Sequence, residues 1–120
     1  MISQVVLAAM SVILVLAISA LLYSFAMFDR LVRAEYAEDR TAWEADGRPY
    51  GFFWHAPECT WLRSAWATER LSLVWWFETP AWVTRSATYR NWLRRLRICV
   101  LFWNIAILAL LFVFVLLVLK

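Results

Sequence analysis

Two long stretches of this chain carry no charged side chain: Val5 to Phe28 near its start and Ile98 to Leu119 near its end. Each exceeds the roughly 20 residues a helix needs to cross a hydrocarbon layer of about 30 Å. In such a layer a helix closes its backbone hydrogen bonds within one segment, whereas a lone strand leaves its edges unpaired. Both runs are therefore expected to be membrane-crossing helices. The first is expected to be a retained anchor, because Met1 to Gln4 carries no basic residue and the apolar core is too long for a cleaved signal peptide. At 64% hydrophobic residues over 120 positions, the chain is too apolar for a water-soluble domain of its size. The fold class predicted is an all-α membrane protein: a short external N-terminus (1–4), a first span (5–28), a helical interfacial segment rich in Trp and Arg (29–97) and a second span (98–119).

All nine acidic residues, and every basic one except Lys120, lie between Asp29 and Arg97. Acids and bases are mixed along this segment, so the net charge of +3 says little about nucleic acid. Position matters more. Arg30 and Arg33 follow the first apolar run, and Arg90, Arg94, Arg95 and Arg97 precede the second. Bases at helix ends favour the cytoplasmic side, which predicts a cytoplasmic middle segment and both termini outside. The same arginines suit contact with anionic lipid headgroups, since a guanidinium meets phosphate in a bidentate fork.

Within the middle segment the first helix is expected to run on past its apolar part, with Asp29, Arg33, Glu35, Glu38, Asp39 and Arg40 facing water. Asp46, Gly47 and Pro49 form a stop signal. Arg48 to Pro57 reads as a connector. A helix from about Thr60 to Phe77 follows, ending in an apolar stretch too short to span and suited to lie in the interface. Glu78, Thr79 and Pro80 then break the chain, and Thr79 as N-cap with Pro80 at the first helical position suits a new helix start. That third helix is expected to continue unbroken into the second span, with Trp82, Tyr89, Trp92, Leu93 and Leu96 on one face, Arg85 intruding on it, and the later arginines opposite.

Nine tryptophans are the most unusual feature. All but Trp92 and Trp103 lie between Trp43 and Trp82. An indole accommodates an apolar surface and a polar N–H together, which fits a membrane boundary or a protein contact. Trp75, Trp76, Phe77, Trp82 and Trp92 are the aromatic candidates for partner or lipid contact, with Arg90, Arg94, Arg95, Arg97 and the polar Asn104 of the second span beside them. Ala17, Ala20 and Ser24 form a small-residue face that lets helices approach closely. Cys59 and Cys99 fall in the middle segment and the second span, too differently placed for an intrachain disulfide to be expected. His55 and Cys59 fall short of the four ligands of a structural zinc site. The carboxylates of Asp29, Glu35, Glu38 and Asp39 read as a solvated helix face. With no paired acid and base and no phosphate-cradling glycine loop, neither a cofactor, a metal nor a catalytic site is predicted.

Met1-Ile2-Ser3 running straight into a span, Asp46-Gly47 followed by Phe52-Phe53, Arg70 followed by Leu73-Val74-Trp75-Trp76, and Arg94-Arg95 with Arg97 before the second span recur in order along the whole chain. In these features the chain resembles the universal stress protein B family of small bacterial inner-membrane proteins. It departs from the family in its far higher Trp content, and in having Thr79-Pro80 where the family has an acidic loop. The resemblance implies a bacterial inner-membrane location, a two-span architecture and a link to stationary-phase stress; the family brings no established catalytic residues. Three functions follow as expectations. The first is a non-enzymatic accessory subunit packed on other subunits of a larger membrane complex; the second is a stand-alone stress-related membrane protein; the third is a cofactor-binding electron-transfer subunit.

Overall fold

The computed structural model describes residues 2–120 and is helical, with no strand among the described residues. Five helices follow in order: α1 (Ile2–Glu38), α2 (Arg40–Ala45), α3 (Trp61–Phe77), α4 (Ala81–Thr84) and α5 (Ala87–Val118). At about 1.5 Å per residue, the 37 residues of α1 account for most of the molecule's longest dimension, 58 Å.

Helices α1 and α5 pack antiparallel. Leu7, Met10 and Leu14 share one cleft with Leu110, Leu111 and Phe114. Further along, Tyr23 meets Arg95, Arg30 lies over the Trp92 ring, and Glu38 accepts a hydrogen bond from the Tyr89 hydroxyl. Both helices are long and apolar enough to cross a membrane. Away from the head their buried positions are small, Ala17 and Ser24 on α1 and Ala106 on α5, while Val5, Leu16, Leu108 and Phe112 point outward. Small residues on the inner face are what brings two apolar helices close when both outer faces lie in an apolar medium.

The ends of α1 and α5 that carry the charges hold a compact head. Its core contains Phe28, Leu31 and Val32 from α1, Trp43 from α2, Leu71 and Trp75 from α3, Trp82 and Val83 from α4, and Leu93 and Leu96 from α5. The aromatic rings run as a chain of edge and tilted contacts, Phe28 to Trp75 at 5.3 Å, Trp75 to Trp82 at 6.1 Å, Trp82 to Tyr89 at 5.5 Å and Tyr89 to Trp92 at 5.5 Å. Offset and edge contacts of this kind add to the area that each ring buries.

The stop predicted at Asp46-Gly47 is where α2 ends. Gly47 and Arg48 both take positive φ, and the Arg48 N–H reaches back to the Trp43 carbonyl at 3.0 Å. This left-handed closure satisfies carbonyls that the last turn would otherwise leave open. The connector then folds back on α1. Asp29 accepts the backbone N–H groups of Phe52 and Phe53, and Phe52 stacks on Phe25 at 4.0 Å. A Cβ at Gly51 would overlap the Asp29 carboxylate, so the closeness of connector and helix depends on that glycine. From the other side, the Thr68 hydroxyl accepts from the Tyr50 N–H and donates to the Tyr50 carbonyl.

Four expectations are corrected. Pro80, not Thr79, is the N-cap of α4, which starts at Ala81 with no side-chain cap. The third helix is not continuous with the second span: α4 ends at Thr84, and Ser86 caps a new helix by accepting from the Tyr89 N–H. Arg85 terminates α4 and is exposed, so it does not intrude on the apolar face. The carboxylates of α1 are not a uniform solvated face, since Asp29 and Glu35 are buried while Glu38 is exposed. Glu35 lies one turn after Leu31 and Val32, and Phe28, Leu31, Val32 and Glu35 form one stripe directed at the core.

Candidate functional site

α3 has two apolar faces. Ser64, Ala67, Thr68, Leu71 and Trp75 turn into the head. Leu62, Trp66, Leu73 and Phe77 lie roughly opposite and are exposed, Trp66 by 74% and Phe77 by 76%. A helix of a free-standing soluble head would present polar residues on that outer side. Phe52 and Phe53 add exposed rings on the connector.

A third stripe of α3, Glu69, Ser72, Leu73 and Trp76, borders an open wedge of about 720 Å³ between α3 and the α1–α5 hairpin. Leu21, Phe25 and Phe28 line it from α1, and Leu96, Arg97, Leu101, Trp103 and Asn104 from α5. Its charged lining residues, Glu69 and Arg97, stand at the head end. Leu21 and Leu101 lie along the apolar hairpin.

Arg97 holds α3 in place over this wedge. Its Nε donates to the Trp75 carbonyl at 2.9 Å, and Nη2 donates to the Glu78 carbonyl at 3.0 Å and to the Thr79 hydroxyl at 3.3 Å. These are the carbonyls that the C-terminus of a helix leaves unpaired, and a cation is favoured there by the helix dipole.

The other contact residues expected from the sequence separate into inner and outer sets. Trp75 and Trp82, expected at a partner or lipid surface, are instead buried in the chain's own core. Trp92 is half-buried under Arg30, 5.7 Å from the ring centre. Trp76 and Phe77 are on the outside. Arg94 is exposed, Arg90 donates to the Thr84 carbonyl and Arg95 donates to the Tyr23 hydroxyl. Asn104 donates to the Val100 carbonyl of its own helix at 2.8 Å, which occupies one of its two amide N–H groups. His55 is exposed, and the Cys59 thiol points to the carbonyls of Arg48 and Pro49.

One polar pair in the head was missed by sequence reasoning. Glu35, 1% exposed, accepts the Trp82 indole N–H on Oε2 at 3.0 Å; its Oε1 has no hydrogen-bond donor. Burial first, then the nearby charge of the Asp46 carboxylate, pushes the Glu35 carboxyl up to about 8; Trp82 acts in the opposite direction and Asp39 adds a smaller push upward. The proton-bearing form suits the geometry, since a neutral carboxyl still accepts from Trp82 on Oε2 and leaves no buried charge on the unpartnered Oε1. The signal that could have found this pair was the place of Glu35 on the same helical stripe as Phe28, Leu31 and Val32.

Comparison with protein-family models, with curated proteins and with solved structures finds no match for this chain. The functional reading therefore rests on the geometry of the head, the wedge and the outer face of α3.

Proposed function

We propose that this chain is a non-enzymatic accessory subunit of the bacterial inner membrane, with α1 and α5 crossing the bilayer, the head on the cytoplasmic side and both termini outside. The observation that carries the reading is the exposed stripe of Leu62, Trp66, Leu73 and Phe77 on the side of α3 opposite its core face. An apolar surface of this extent is stable only under lipid or protein cover. The outer face of α3 and the outward faces of α1 and α5 together form the surface through which the chain joins a larger membrane complex.

The charged and polar groups of the head support a non-catalytic role. Asp29 closes the connector, Glu35 receives Trp82, Glu58 receives the Tyr36 hydroxyl and Arg97 caps α3. Each is occupied in holding the fold. The inner-membrane location and the orientation draw on the basic flanks of the two apolar helices.

The test of association is native electrophoresis of membranes solubilised in mild detergent. The chain is expected to migrate with a complex much larger than itself, and a Trp66→Ala, Phe77→Ala double variant is expected to leave it while the protein level stays unchanged. Migration of the wild-type chain alone, the behaviour of a stand-alone stress-related membrane protein, would overturn the accessory reading. The orientation is tested by fusing a reporter active only in the cytoplasm after Lys120. No signal is expected from that fusion, and a strong signal from the same reporter inserted at the exposed Phe53; the reverse pattern inverts the topology.

A further inference from the structure

The wedge between α3 and the hairpin has the chemical polarity of a lipid molecule. Its volume, about 720 Å³, lies inside the roughly 300–1,000 Å³ range of sites that enclose small organic ligands. Along the hairpin its walls are Leu21, Phe25, Leu101 and the Trp103 ring, together with Ser24 and Asn104, which each donate to a carbonyl of their own helix. At the head end it presents Glu69, Ser72 and Arg97.

The two charges at that end are of opposite sign and are not paired with each other, since the one ion pair among the described residues joins Arg40 and Glu58. Arg97 is locked by the bonds from Nε and Nη2 to the end of α3. A guanidinium has five N–H donors, and the bonds to α3 leave the two on Nη1 free. The charge is therefore already held in place, with N–H donors on Nη1 still available for phosphate. Glu69 is exposed and makes no side-chain hydrogen bond that holds the fold. On α3 it shares the stripe of Ser72, Leu73 and Trp76 that borders the wedge.

We propose that the wedge is a binding site for one zwitterionic aminophospholipid. Its phosphate meets the Nη1 donors of Arg97, its primary ammonium meets the Glu69 carboxylate, and one acyl chain lies between α3 and the hairpin against Phe25, Leu101 and Trp103. A purely anionic headgroup would set its second charge against Glu69. That repulsion distinguishes this site from the non-specific attraction of arginines to an acidic surface. The assignment rests on the reading that α1 and α5 lie in a bilayer.

The experiment is native mass spectrometry of the full-length chain in mild detergent with phosphatidylethanolamine, phosphatidylglycerol and cardiolipin added at equal concentration. One phosphatidylethanolamine per chain is expected to survive delipidation in preference to the other two. Glu69→Gln is expected to lower its retention roughly three- to fivefold, the weight of one partly exposed ion pair, with unfolding temperature unchanged. Ser72→Phe, which fills the wedge from an exposed position, is expected to abolish retention. Equal retention of all three lipids, preference for an anionic one, or indifference to both substitutions would overturn the site. So would a tightly held small molecule other than a phospholipid. A chain that stays soluble without detergent would refute the bilayer reading itself, whereas a detergent-dependent chain with no headgroup preference refutes only the lipid site.

Discussion

Trp43→Ala is expected to destabilise the head by about 3–5 kcal/mol, the range found when a large buried aromatic is cut back to a methyl group. Trp43 is 0% exposed. It comes from α2, a helix of only six residues, too short to be stable without tertiary packing. Its indole N–H donates to the Pro49 carbonyl at 2.9 Å, and its ring meets Tyr36 edge-on at 4.8 Å. Truncation thus leaves a cavity, a buried Pro49 carbonyl with only the Cys59 thiol for a donor, and a connector with one fewer tie to the head. The apolar parts of α1 and α5 should keep their helicity in detergent, so total helix content is a poor readout. Limited proteolysis within the connector is a better one, because cleavage follows the population of the opened form. The variant is expected to be cut in residues 48–59 at a protease concentration that leaves the wild type intact. Equal resistance of the two would show that the head does not depend on this ring. Trp43→Phe keeps most of the volume but not the N–H; it should fall between them.

How far these features were legible in the sequence depends on the range over which each signal acts. The two apolar helices, the stop at Asp46-Gly47 and the extent of α3 were readable because uninterrupted apolarity, left-handed glycine and helical spacing are properties of neighbouring residues. The break between α4 and α5 was hidden by the stronger start signal of Thr79-Pro80, although Ser86 is itself a good cap residue. The role of Asp29 had no local signature. Its partners are the backbone N–H groups of Phe52 and Phe53, and backbone donors are the same in every sequence. The distinction among the tryptophans was equally out of reach. Trp75 and Trp76 are adjacent and chemically identical, yet about 100° of helical rotation buries one in the core and leaves the other exposed. Apolar residues on every side of α3 announce two interfaces without saying which is internal, and only the path of the connector across α1 decides it.

Glu35→Gln is expected to raise the unfolding temperature of the solubilised chain at pH 8 and to leave it nearly unchanged at pH 4.5. The sign follows from where the proton is held. In the fold the Glu35 carboxyl is pushed up from an ordinary 4.5 to about 8, by burial before all else and then by Asp46. The folded chain therefore binds this proton more tightly than the unfolded chain does. Below about 4.5 both states are protonated and the stabilising contribution is fully present. As pH rises through the window from 4.5 to 8 the unfolded chain releases its proton and the folded one keeps it, so stability declines, by at most about 1.4 kcal/mol per pH unit for one proton. Above about 8 the contribution is gone and an ionised carboxylate is buried beside Asp46. Glutamine preserves the useful contact of the protonated acid, since its carbonyl accepts from the Trp82 N–H. It cannot ionise, so this part of the pH dependence should disappear. Asp46→Asn supplies the independent check. Removing the neighbouring negative charge lowers the Glu35 carboxyl toward its ordinary value and should pull the upper edge of the window below 8, without abolishing it, since burial by the core remains. Thermal unfolding followed by tryptophan fluorescence from pH 4.5 to 8.5 measures all three proteins. Parallel curves for wild type and Glu35→Gln would show that Glu35 is already ionised in the fold and that the Trp82 contact alone accounts for its burial.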